Sequence, residues 1–282
     1  MNSVPVIVGL CQDEGNIMTA PYHKEHRRWE LVTRDWDQWA PLIFFNRERE
    51  LITESDQAAA ASIAQFYFGD NVDMSSLART PGNLVKLGRI YSMAYFYSGA
   101  DHDVRLLSRA GVPVYPLILS HPPNFSLMDI FRLSLGQLVW SFTARSLPCL
   151  SDPHQAEHGV CHGDDLNYLF PMSPFPESVV TEDQVKVRQL LLDLISSFSL
   201  RGQPSYSDPS DGLTTLLDTA DKNDGIDKYF NISPEPGVVN SESLREELEF
   251  WNKVMEQSRN RKWNLLDQLP TTLHKKIAVN RM

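Results

Sequence analysis

One histidine in this chain stands where a loop could put it to work. The run Gly159-Val160-Cys161-His162-Gly163-Asp164-Asp165 sets an imidazole among small and acidic residues, and Leu166, Tyr168, Leu169 and Phe170 follow at once to anchor it. Three chemistries compete for His162. The first is metal ligation, since His154, His158 and His162 recur every fourth residue as on one helix face; Pro153 and Gly159 weaken the helix that this spacing requires. The second is a nucleophile elbow, because Gly159 to Gly163 has the form Gly-x-nucleophile-x-Gly with Cys161 at its centre. That turn needs a buried strand before it, and the polar residues 152–158 supply none, so Cys161 reads as a small packing residue. The third is acid–base work, in which a histidine takes a proton from a serine and returns it to the leaving group while a buried carboxylate holds the ring in one tautomer. Glu14 suits the orienting role, because it follows an apolar, β-branched run, where parallel sheets collect their functional residues. The bland alternative is that Asp13 and Glu14 are solvated turn residues.

The elements that must position these residues can be read from pattern. Residues 4–10 form a nearly unbroken apolar run that fits a strand buried on both faces. Residues 112–120 form a second, with Pro116 in its middle arguing for an edge position or a bulge. The hundred residues between them read as mostly helical. Trp29, Trp36 and Trp39 are expected to be half-buried on a surface helix and loop, and His23 and His26 do not form a zinc-helix pattern. Thr53 or Ser55 caps a helix to about Phe68, with Ile63, Phe66 and Tyr67 facing inward, and Gly69 ends it. Leu84, Leu87, Tyr91, Ala94 and Tyr95 recur at helical spacing between Gly82 and Tyr97. Residues 125–147 read as an amphipathic packing helix, with a lid over an apolar pocket as the alternative. Thr181-x-x-Gln184 is a capping box for a long helix ending at Gly202; residues 203–228 read as surface loop; Ser243-x-x-Glu246 starts a last helix. Strands alternating with helices indicate the α/β class. The expected division is a domain over 1–258 and a basic tail over 259–282.

Composition excludes several classes. A balance of 26 Lys and Arg against 36 Asp and Glu, net charge -10, argues against a nucleic-acid partner, which needs a concentrated basic face. No apolar stretch is long and uncharged enough for a transmembrane segment. Cys11, Cys149 and Cys161 set no disulfide framework, and the first residues read as mid-domain sequence rather than as a signal peptide.

The same residues carry a family resemblance. Val4-Pro5-Val6-Ile7-Val8-Gly9 through Asp13-Glu14-Gly15 resembles the strand and Glu-Gly turn that carry the acid in type B carboxylesterases, the group of the cholinesterases and juvenile hormone esterases. Gly159 to Phe170 is similar to that family's histidine loop, G-x-x-H-x-D-[DE]-L-x-Y-[LV]-F. Gly111 to Ser120 resembles its G-x-P-V-Y-x-Y-x-F strand, and Tyr229-Phe230-Asn231-Ile232 with Phe250-Trp251-Asn252 resembles its closing segment. The resemblance implies the C-terminal part of an α/β-hydrolase fold, a mostly parallel sheet flanked by helices, with Glu14 as triad acid and His162 as base. It implies a small-molecule ester as substrate of the complete enzyme and no cofactor.

Departures shape the expectation. No Gly-x-Ser-x-Gly and no Gly-Gly pair occurs, so the nucleophile elbow and glycine-rich oxyanion hole of the family's first half are expected to be missing, and the chain is expected to be inactive alone. The family's Ser-Asp pair is here Ser92-Met93. The rival expectation is a non-catalytic, neuroligin-like adhesion or interaction member of the fold. Sequons at Asn124 and Asn231 favour a secreted or extracellular glycoprotein. A half sheet would leave an open edge, so the chain alone is expected to aggregate or fold only partly.

Overall fold

A computed structural model describes residues 4–70, 72–78, 80, 82–132, 159–170, 179–207, 214–222 and 224–259. The described strands β1 (Val6–Cys11), β2 (Val114–Leu119), β5 (Lys228–Ile232) and β6 (Gly237–Asn240) form one sheet in the order β1-β2-β5-β6. The first three are parallel, with Val6 opposite Val114 and Leu117 opposite Phe230, and β6 is antiparallel to β5. Between β1 and β2 run α1 (Asn16–Lys24), α2 (His26–Arg34), α3 (Trp36–Phe44), α4 (Glu54–Phe68), α5 (Met74–Leu77), α6 (Asn83–Ser92) and α7 (Ser98–Arg109). After β2 come α8 (Leu127–Arg132), α9 (Asp164–Leu169) and α10 (Glu182–Arg201), then the antiparallel pair β3 (Ser205–Ser207) and β4 (Thr214–Leu216); α11 (Glu242–Arg259) follows β6. None of the described helices is long and apolar enough to cross a membrane.

The side-chain alternation of β2 divides the core into two layers. Val114 and Ile118 face the helices on one side, packing with Trp29, Trp36, Phe44, Leu87, Ile90 and Trp251. Tyr115, Leu117 and Leu119 face the other, with Phe230, Ile232, Val160, Tyr168 and the Val187, Leu191 and Leu194 stripe of α10. Two helices start as the sequence predicts. Thr53 and Asp56 close a capping box on α4, with Gly69 ending it, and Thr181 and Gln184 close one on α10, with Gly202 in a left-handed conformation at its end.

Several expectations are corrected. Pro116 lies in a central strand, between β1 and β5. Val6 and Gln12 N–H donate to Pro113 and Leu119 carbonyls, so odd-numbered residues of β2 face β1 and Pro116 faces β5, whose pairing begins only at Leu117. The donor that proline lacks therefore falls where no ladder bond is needed. Strand β1, by contrast, has β2 as its single described neighbour and is only partly covered, with Cys11 its one fully buried residue. Trp29 and Trp36 are core residues, because Trp36 finds an acceptor for its indole N–H in the Ala60 carbonyl at 2.8 Å. Phe66 is exposed where Ile63 is buried. The stretch read as loop over 203–228 contains β3 and β4. Ser241 rather than Ser243 caps α11, its Oγ accepting the Leu244 N–H at 3.2 Å. Of the apolar segment 125–147, residues 133–147 lie outside the described residues, as do 260–282 of the tail.

Helices α6 and α7 do not join by a plain α turn. Met93–Tyr97 forms a π-helical turn between them.

Candidate active site

Glu14 stands three residues beyond the C-terminal end of β1, on a turn held from both layers. Its Oε1 accepts the Cys11 N–H at 2.7 Å, which folds the side chain back over its own strand. The Tyr97 hydroxyl reaches the carbonyls of Cys11 and Gln12 at 3.2 and 3.1 Å. Gly15 donates its N–H to Ser92 Oγ at 2.8 Å, and Ser92 passes its own proton to the Gly88 carbonyl at 3.0 Å. Gly15 is required by proximity: a Cβ there would lie 2.2 Å from the Ser92 nitrogen and 2.3 Å from the Gly88 oxygen. The Ser92-Met93 sequence thus keeps a supporting contact through its serine. Glu14 is 4% exposed, and burial raises its carboxyl above the ordinary range, while the Cys11 N–H and His162 draw it back.

The histidine loop is pinned to that turn by its preceding residues. Asp13 N–H donates to the Val160 carbonyl at 2.8 Å, and Val160 N–H donates to Asp13 Oδ2 at 3.0 Å. Gly159, at φ +58°, lets the backbone lie against the Asp13 carboxylate, where a Cβ would meet Oδ2 at 1.9 Å. Beyond the histidine, Gly163 turns at φ +85° into α9. The buried Asp164 carboxylate accepts from Cys161 N–H (2.9 Å), Leu127 N–H (3.0 Å), Ser126 Oγ (2.9 Å) and Asn167 Nδ2 (3.3 Å). One carboxylate therefore ties the residue before His162 to the start of α8. Burial pushes Asp164 up to about 6 despite these donors.

These supports deliver His162 Nδ1 to Glu14 Oε2 at 2.7 Å, across 148 residues of chain. The imidazole side chain is 53% exposed on its other side, and the Phe96 ring centroid lies 4.9 Å from its own. A neutral imidazole that donates Nδ1–H to the carboxylate presents the Nε2 lone pair outward. Such a pair can accept a proton at Nε2 and stabilise the resulting imidazolium.

The residues singled out in the sequence divide accordingly. Glu14 and His162 come together, and Asp13 serves the backbone of the histidine loop; neither carboxylate is a solvated turn residue. Cys161 is fully buried, its thiol raised by burial and 3.1 Å from Ser126 Oγ, which is the packing role. His154 and His158 lie outside the described residues, as do the side chains of His23 and His26. Asn231 of the second sequon sits in β5, with Nδ2 donating to Ser233 Oγ at 3.2 Å. Sequence reasoning missed Tyr97, Phe96 and Ser126, whose roles depend on contacts dozens of residues away, and gave Asp164, part of the histidine motif, no role of its own.

The profile of the carboxylesterase family matches residues 1–251. The chain belongs to the carboxylesterase family. Among curated relatives of this family chain, a carboxylic ester hydrolase of Bombus ignitus is 22% identical over 256 residues, covering 89% of the chain and 40% of the relative. The venom carboxylesterase-6 of Apis mellifera is 24% identical over 212 residues, covering 73% of the chain and 32% of the relative. A crystal structure of juvenile hormone esterase from Manduca sexta, with OTFP covalently attached, superposes with a TM-score of 0.58 at 16% identity, over 90% of this chain and 41% of that one. The fold is that of the α/β-hydrolases, and the chain spans less than half the length of the relatives it matches.

Proposed function

We propose that this carboxylesterase chain supplies the acid and the general base of a serine ester hydrolase, and that the nucleophile is contributed from outside these 282 residues. The observation that carries the reading is the 2.7 Å contact between His162 Nδ1 and the buried Glu14 carboxylate. In this reading His162 Nε2 takes the hydroxyl proton of a serine as its oxygen bonds to the ester carbonyl carbon. The imidazolium, stabilised by Glu14, then protonates the departing alcohol. Water repeats the sequence to free the carboxylic acid and the serine. The substrate class is a small carboxylic ester. No metal or organic cofactor has a part in these steps.

The chain by itself is expected to show no steady turnover of a p-nitrophenyl ester, since it holds neither a Gly-x-Ser-x-Gly elbow nor a Gly-Gly pair for an oxyanion hole. Steady hydrolysis by the purified chain, abolished by His162→Ala, would overturn this. The transcript upstream of the Met1 codon separates the esterase from a non-catalytic binding protein: an open frame encoding Gly-x-Ser-x-Gly supports the first, and a frame with that serine replaced supports the second.

A further inference from the structure

The π turn Met93–Tyr97 touches the acid turn and the histidine at once. A π turn winds wider than an α turn, so that residues five apart stack; Ser98 Oγ donating to the Met93 carbonyl at 2.7 Å is such a contact. The same widening sets Ser92 and Tyr97 toward one target, the turn that carries Glu14: Ser92 receives the Gly15 N–H and Tyr97 holds the carbonyls of Cys11 and Gln12. A regular α helix would swing the fifth residue away from the first. Between these two stands Phe96, partly buried, its ring 4.9 Å from the imidazole and tilted 39° to it.

We propose that this π turn is a brace for the Glu14–His162 pair and that Phe96 is a positioning residue, covering one face of the imidazole so that its Nδ1 stays aimed at Glu14 while the ring gains a proton. The proposal rests on His162 acting as the base. An imidazolium over an aromatic face is attracted by the ring quadrupole, whereas a neutral imidazole gains less, so Phe96 favours the form that appears during proton transfer. Among the described residues Glu14 is the charged group hydrogen-bonded to the imidazole, and Asp165 of α9 adds negative charge near Glu14. A residue that merely filled space would leave this preference untouched when exchanged for leucine.

The test is the pH profile of deuterium exchange at the His162 ring C2–H, followed by peptide mass spectrometry on the full 282-residue chain at micromolar concentration. Phe96→Leu is expected to move the profile to lower pH by roughly 0.4 to 0.7 of a unit, the shift that follows from a lost cation–π contact at a half-exposed site. Phe96→Tyr, which keeps the ring, is expected to restore it. Glu14→Gln is expected to move the profile further in the same direction. If Glu14→Gln shifts the profile and Phe96→Leu does not, the brace is wrong and the base assignment stands. If neither shifts it, both fall.

Discussion

Three carboxyl groups around His162, those of Asp13, Glu14 and Asp164, are all raised by burial. Holding them ionised costs folding free energy. For Asp164 the sign is direct. Its native value of about 6 lies above the ordinary 3.8, so between these values the folded chain keeps a proton that the unfolded chain has released. Stability from this group is full below pH 4 and is lost as pH rises through 6. Asp164→Asn is therefore expected to flatten the pH dependence of the urea midpoint between pH 4 and 6 relative to wild type. Equal slopes in the two proteins would contradict the assignment. The glycines carry a different kind of constraint. Gly15→Ala must displace the Ser92 backbone or the acid turn, and the expected result is a loss of roughly 2 kcal/mol or more by chemical denaturation, well beyond the usual surface substitution.

At the level of elements, the two capping-box helices and the positions of β1 and β2 were legible because their signals are local, while the burial of β1 on both faces and the cap of α11 were misread. Thr181-x-x-Gln184 forms the predicted box, with Thr181 Oγ accepting the Gln184 N–H at 3.2 Å. Thr181→Ala is expected to cost about 1 kcal/mol in thermal or chemical unfolding. Glu14 and His162 could be singled out because each sits in a short motif beside an apolar anchor. Phe96 and Tyr97 could not, since a π turn leaves no mark on hydrophobic spacing; both simply extend the helix that Leu84 and Leu87 announce. Pro116 misled for a similar reason: proline on a strand suggests an edge, and whether its missing donor matters depends on which neighbour that residue faces and where the neighbour's ladder begins. The short strands β3 and β4 were hidden because Ser, Asp and Gly dominate around them and the pattern of three residues is too brief to read.

For the molecule as a whole, the unpartnered side of β1 is the exposed element of consequence. Among the described strands it pairs with β2 alone; Val4 just before it is 73% exposed, and Gly9 within it is also open. An uncovered parallel edge is a template for another strand. The isolated chain is accordingly expected to self-associate with rising concentration, seen as a growing sedimentation coefficient. A monodisperse monomer with one cooperative thermal transition would contradict this.

The bond between Glu14 and His162 also has a meaning in time. It joins positions 148 residues apart and lies where the helical layer that holds Ser92 and Tyr97 meets the layer that holds Val160 and Tyr168. Closing so long a segment brings no return until both layers have docked, so the contact is expected among the last to form during refolding. The Glu14–His162 contact then marks completed docking of the two layers rather than one of its early steps.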